Sequence, residues 1–154
     1  MFTLLFNKST GGYTETTVPD MVKAKEAAKK YLSKDPSGSV MVLDPSRKEA
    51  LITTYYIDMN TKAIKDARHE KFIIGHNDAY PHTSASTLTE ARIKACTLMH
   101  KEGWRSLIIY NVKVNKETKM APVGATITNG YRYMYSNFVK NKTVSLNPKT
   151  GRAQ

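Results

Sequence analysis

His76, Asp78, Tyr80 and His82 fall within seven residues, which puts two imidazoles, a carboxylate and a phenol on one short segment. Imidazole and carboxylate together ligate metals or exchange protons near neutral pH. The segment also leads into a helix start, where free backbone N–H groups favour an anion. Its spacing matches no metal-site signature, and polar loops before helices are common. His76, Asp78 and His82 are therefore a minor ligand-loop candidate.

A second group is Tyr131, Arg132, Tyr133 and Tyr135. They follow Asn129-Gly130, whose two residues tolerate the positive φ of a tight hairpin. Side chains alternate along a strand. A two-residue turn would set Tyr131, Tyr133 and Tyr135 on one face with Thr126 and Thr128, and turn Val123, Ala125, Ile127 and Met134 to a core. Exposed tyrosines stack on unpaired bases at about 1–3 kcal/mol each. Arg132, Lys140 and Lys142 would then meet phosphates. The same residue types also suit a half-buried sheet face or a protein interface anchored by Tyr and Arg.

Other reactive residues read as structural. Arg68-His69-Glu70-Lys71 is a solvated ionic patch, and Cys96 lies on the apolar face of a helix, as a small core residue does. There is no phosphate-binding glycine loop, dinucleotide fingerprint, nucleophile elbow, paired-cysteine zinc site or helix-turn-helix pattern. The expectation is a non-enzymatic protein with no cofactor and no metal.

These residues need elements to hold them. Phe2 to Asn7 and Tyr13 to Thr17 read as paired strands around Gly11-Gly12. Pro19 and Asp20 open a helix to about Ser33, with Met21, Ala24, Ala28, Tyr31 and Leu32 on one face and Lys23, Lys30 and Lys34 opposite. Ser39 to Leu43 and Ala50 to Asp58 form a hairpin. Asn60 to Glu70 suggests a short helix with Ala63, Ile64 and Ala67 inward, then Phe72 to Ile74 a strand and Gly75 to Ala85 a polar loop. Thr87 and Glu90 make a capping box for a second helix with Leu88, Ala91, Ala95, Cys96, Leu98 and Met99 on its apolar face, closed by Gly103. Arg105 to Val114 and Pro122 to Thr128 are further strands.

An offset of 67 lays the second helix and its following strand on the first, Met21 on Leu88, Ala28 on Ala95, Val42 on Ile109, and places Leu5-Phe6 on Phe72-Ile73. The fold class is therefore α+β: tandem β-α-β-β units over 1–68 and 69–140, or one joint domain, with a largely antiparallel sheet, two helices, the tyrosine hairpin and a flexible basic tail over 141–154.

The net charge is +11. Six basic residues and no acid occupy 118–154, which favours a polyanionic partner. One cysteine fits a reducing compartment, no leader peptide is evident, and no apolar run spans a bilayer, so a cytoplasmic protein without membrane contact is expected. The expected function is nucleic-acid binding, DNA or RNA, of low sequence selectivity through Tyr131, Arg132, Tyr133, Tyr135, Lys140 and Lys142, extended by Lys23, Lys30 and Lys34. The alternative is a small inhibitor or adaptor, of the viral or mobile-element accessory kind, that docks on an acidic protein or nucleoprotein. Homo-oligomers fit either reading.

Overall fold

The computed structural model describes residues 1–76, 79–104 and 107–112, together with the strands over 116–121, 131–134, 137–140 and 142–145. The fold is α+β with mostly antiparallel sheets. The first sheet has the order β2-β1-β3-β4-β5, built from β1 (Phe2–Asn7), β2 (Tyr13–Val18), β3 (Ser39–Asp44), β4 (Ala50–Ile57) and β5 (Ile64–Asp66). The second has the order β12-β9-β8-β6-β7, from β6 (Phe72–Gly75), β7 (Pro81–Ala85), β8 (Leu107–Asn111), β9 (Lys116–Ala121) and β12 (Lys142–Ser145). A separate pair joins β10 (Tyr131–Met134) and β11 (Asn137–Lys140).

Each sheet begins as hairpin, helix, hairpin. Helix α1 (Met21–Lys34) follows β2, and α2 (Leu88–Glu102) follows β7. Asp20 caps α1 by accepting the Lys23 N–H at 2.9 Å. Thr87 caps α2 by accepting the Glu90 N–H at 3.1 Å, while the Glu90 carboxylate accepts from the Ser86 N–H at 3.2 Å. Gly103 ends α2 at φ 71, a left-handed conformation that glycine adopts without Cβ strain. The alanines on each buried face bring the helix close to its sheet. Ala24, Ala28 and Leu32 meet Leu4, Val40, Val42 and Tyr55, and Ala91, Ala95, Leu98 and Met99 meet Ile74, Leu107 and Ile109.

Neighbouring strand residues point to opposite faces. Tyr55 joins the α1 core and Tyr56 turns away from it; Ile74 joins the α2 core and Ile73 turns away. Tyr56, Ala67, Ile73 and Tyr110 form a third cluster, so the sheets meet through the faces opposite their helices.

The structure revises several expectations. Residues 60–70 form β5 and a single 3-10 turn, Ala67–His69, in place of a helix. The Asp58 carboxylate binds the Asn60 and Thr61 N–H groups and turns the chain, and Ile64 pairs back onto Ile57. Part of the expected 75–85 loop is β7. Each unit therefore carries one more strand before its helix than a β-α-β-β unit has. Leu88, expected on the apolar face of α2, is 38% exposed at the helix start.

The offset of 67 holds for helix starts and for Val42 and Ile109, but β1 does not follow it. Leu4 pairs with Val42 and Ile74 with Ile109, so the equivalent of Ile74 is Leu4, not Asn7. Both are fully buried under their helices, and the three-residue difference lies in the hairpins: Leu4 pairs with Thr16, twelve residues on, and Ile74 with Thr83, nine residues on. Of the expected tail, Lys142–Ser145 runs parallel to β9. Residues 146–154 and the Asn129-Gly130 turn, with Val123, Ala125, Thr126, Ile127, Thr128 and Tyr135, lie outside the described residues.

Candidate functional site

Lysine spacing on α1 sets up a surface that the sheet then completes. Lys23, Lys25, Lys29, Lys30 and Lys34 are all exposed, because Ala24, Ala28 and Leu32 fix which side of the helix is buried. Lys23 pairs loosely with exposed Glu26 at 3.4 Å. Lys30 and Lys34 pair with no carboxylate among the described residues. The expected basic face of α1 is thus present and largely uncompensated.

Beside this ridge runs a groove between α1 and the β1–β2 hairpin. One open surface depression of about 390 Å³ is lined by Val18, Pro19, Lys23, Glu26, Ala27 and Lys30. The next, about 230 Å³, is lined by Phe6, Ala27, Lys30, Tyr31 and Lys34. They share Ala27 and Lys30, so they adjoin as one shallow, open trough with an apolar floor and Lys23, Glu26, Lys30 and Lys34 along one side. The Phe6 and Tyr31 rings lie 5.0 Å apart at its far end. There the Tyr31 hydroxyl donates to Asp35 at 3.2 Å, and the Ser9 N–H donates to the same carboxylate at 2.9 Å. Burial opposes ionisation of Asp35, but these hydrogen bonds outweigh it and hold the carboxyl below its usual range. Burial, reinforced by Asp35, raises the Tyr31 phenol.

The outer side of the groove is the edge of the first sheet. Every residue of β2 is exposed except the half-buried Val18, and Tyr13 is 61% exposed. Thr14, Thr16 and Val18 pair with Phe6, Leu4 and Phe2 and so share the α1 side of the sheet. The corresponding edge of the second sheet is closed. β7 is mostly buried, and the segment after β4 lies on it: the Met59 N–H donates to the His82 carbonyl at 2.7 Å. Asp58, 1% exposed at its side chain, accepts from Thr83 at 3.0 Å and meets Lys65 at 3.0 Å, while Lys65 also donates to Ser84 at 2.8 Å. Burial alone would raise the Asp58 carboxyl; Lys65 and the Thr61, Asn60 and Thr83 donors bring it below its usual range.

The structure brings His76 and His82 together, with ring centres 5.0 Å apart, and adds a residue that sequence spacing did not reveal. Trp104 lies 4.3 Å from His76 and stacks on His82 at 4.6 Å. Gly103 turns the chain after α2 and delivers it there. The lone tryptophan just past a helix-ending glycine was the available signal. His82 Nε2 is buried without a hydrogen-bond partner. Burial, and secondarily the neighbouring His76, lower the His82 imidazole to about 4; burial also lowers His76. The cluster is thus built from neutral rings. Asp78 lies outside the described residues, and among those described no group of three or more His, Cys, Asp or Glu side chains is arranged to hold a metal.

The remaining candidates sit on the later strands. Tyr131 pairs with Lys140, Arg132 with Val139 and Tyr133 with Phe138 across β10 and β11, and Lys142 opens β12 beside Thr118. The described partner of the tyrosine strand is therefore the segment after it. Cys96 is buried on α2, and burial raises its thiol, which leaves it a poor nucleophile. No helix of the described residues is long and apolar enough to cross a membrane. No family model, curated protein or solved structure matches the chain.

Proposed function

We propose that this protein binds nucleic acid, without catalysis and with low sequence selectivity. The supporting observation is the charge of α1, five exposed ammonium groups with Lys23, Lys30 and Lys34 on one flank, Lys25 and Lys29 on the other, and Glu26 the one carboxylate among them. A rigid helix holding this much positive charge attracts a phosphate backbone, while it offers few groups that would distinguish bases. The acid-free region over 118–154 adds Arg132, Lys140 and Lys142, with Tyr131, Tyr133 and Tyr135 as stacking groups. A cytoplasmic setting belongs to the same proposal, since the single cysteine, Cys96, is suited to a reducing compartment.

The test is fluorescence anisotropy with single- and double-stranded oligonucleotides across a salt series. Affinity is expected to fall steeply with salt, by about 0.7–0.9 log units per phosphate contact for each decade of salt. Lys30→Glu with Lys34→Glu should flatten that slope by about 1–2 units. Undetectable binding at low salt, or affinity indifferent to salt, overturns the proposal.

A second reading is docking on a protein or nucleoprotein as a small inhibitor or adaptor of the viral or mobile-element kind. The bare edge of β2 favours it, since such an edge is a template for another chain. A lysate pull-down separates the readings: a partner retained after nuclease treatment supports docking, and loss of every partner supports nucleic acid.

A further inference from the structure

We propose that β2 accepts an extended, acidic segment of another protein as an added edge strand, with alternate side chains of that segment entering the α1 groove. The proposal deepens the docking reading and rests on it; nucleic-acid binding stands or falls separately.

Sheet edges that must stay free usually carry lysine, proline or a bulge. β2 carries none of these within it, and its one charged side chain, Glu15, is on the face away from α1. Its sequence Tyr-Thr-Glu-Thr-Thr-Val is the composition of a strand interior, and its register with β1 runs unbroken from Phe2↔Val18 to Asn7↔Tyr13. In an antiparallel pair about half of an edge strand's N–H and C=O groups point outward, unpaired. A peptide strand satisfies both kinds of group. A nucleic acid does not, because the outward carbonyls repel phosphate.

The second sheet shows what such an edge takes. At β7 the place is filled by the protein's own segment after β4, through the Met59–His82 backbone bond and the side chains of Asp58 and Lys65. β2 stands at the same place in the order of its own sheet, and no segment of the described residues lies on it.

Charge then selects the occupant. An added strand places every second side chain on the α1 side, next to Thr14 and Thr16, facing a wall of Lys23, Lys30 and Lys34 in which Glu26, paired with Lys23, is the one carboxylate. Lys30 and Lys34 are four residues apart on the helix, a rise of about 6 Å. Alternate residues of a strand are about 6.7 Å apart. Two acidic side chains separated by one residue therefore match the two lysines, and an apolar side chain fits over Ala27, Val18 and Pro19. The opposite face of β2 carries Glu15, where the added strand would take neutral or basic residues. A second copy of this chain is disfavoured by its own charge of +11, and the segment over 146–154 carries Lys149 and Arg152 but no acid.

The test titrates the full-length protein, followed by amide NMR, with the capped heptapeptide Thr-Glu-Thr-Glu-Thr-Val-Thr, which sets two glutamates and a valine on one face and threonines on the other. Shifts are expected along Tyr13–Val18 and Met21–Lys34. The same peptide N-methylated at alternate residues, which keeps charge and composition but removes strand pairing, should lose at least tenfold in affinity. Lys30→Glu with Lys34→Glu should lose at least tenfold for the unmethylated peptide. Absence of binding, equal binding of the N-methylated peptide, or a concentration-dependent dimer in sedimentation through β2 overturns the proposal. Salt-dependent oligonucleotide binding alongside peptide failure removes the added strand and leaves nucleic-acid binding in place; the converse leaves the strand site and removes nucleic-acid binding.

Discussion

His82 holds its ring against Trp104 and His76 with one nitrogen buried and unpartnered, so a proton there would bring a charge with nothing to meet it. An unfolded histidine takes that proton near pH 6.5; folded His82 takes it only near 4. Between those values the unfolded chain binds more protons, and acid favours unfolding. The stability present above pH 6.5 should fall by up to about 3 kcal/mol as pH drops to 4, then level off for this group. His76, shifted the same way, adds to the loss. Urea unfolding at several pH values should show a shallower acid slope in His82→Phe than in wild type. Equal slopes would assign the acid sensitivity elsewhere.

At the scale of elements, helices owe their positions to caps and small residues. Thr87 accepts the Glu90 N–H, and Glu90 also meets Lys94 at 3.1 Å. Thr87→Ala should cost about 1 kcal/mol, visible as a shift in the thermal midpoint, whereas Thr87→Ser should cost much less. A midpoint unmoved by Thr87→Ala would show that packing alone fixes the start of α2. Both helices were legible in the sequence because their caps, periods and stop signals are local. β7 was not. Pro81-His82-Thr83-Ser84-Ala85 looks like loop because its hydroxyls are polar, yet Thr83 and Ser84 are buried against Asp58 and Lys65, which come from the other sheet. The segment over 60–70 misled for the same reason: an alanine–isoleucine pattern suggested a helix, and the Asp58 turn imposed a strand. The lysine ridge could be read from a 3.6-residue period. The Trp104 contact could not, since it joins residues that precede α2 in the chain to one that follows it.

At the scale of the molecule, the two sheets are fastened by a polar clasp as well as by the Tyr56 cluster. Asp58 accepts from Asn60, Thr61 and Thr83 and is paired with Lys65, which reaches on to Ser84. Asp58→Ala should cost roughly 3 kcal/mol, because it strips a cation and several donors of a shared acceptor at once. Denaturant titration checks this, and a cost under about 0.5 kcal/mol, the range of ordinary surface substitutions, would show that the apolar cluster alone joins the sheets. Additional clasps run from the Ser39 hydroxyl to the Ala79 carbonyl and from the Tyr80 hydroxyl to the Lys8 carbonyl. The groove on α1 lies on the side of the first sheet away from the Tyr56 cluster, so occupying it need not disturb the junction.

The last strand of the second sheet, β12, lies parallel to β9 and comes from Lys142–Ser145, whereas the first sheet is complete by Asp66. A ribosome adding about 5–20 residues per second needs roughly 4–16 s to travel between those points. For roughly the first 1–4 s of it, until β7 is complete at Ala85, the nascent chain carries one finished sheet with Tyr56 uncovered and Asp58 and Lys65 waiting for β7. Birth order therefore makes the earlier sheet the template on which the later one assembles, and makes the seconds before β7 emerges the period when a chaperone would be most useful.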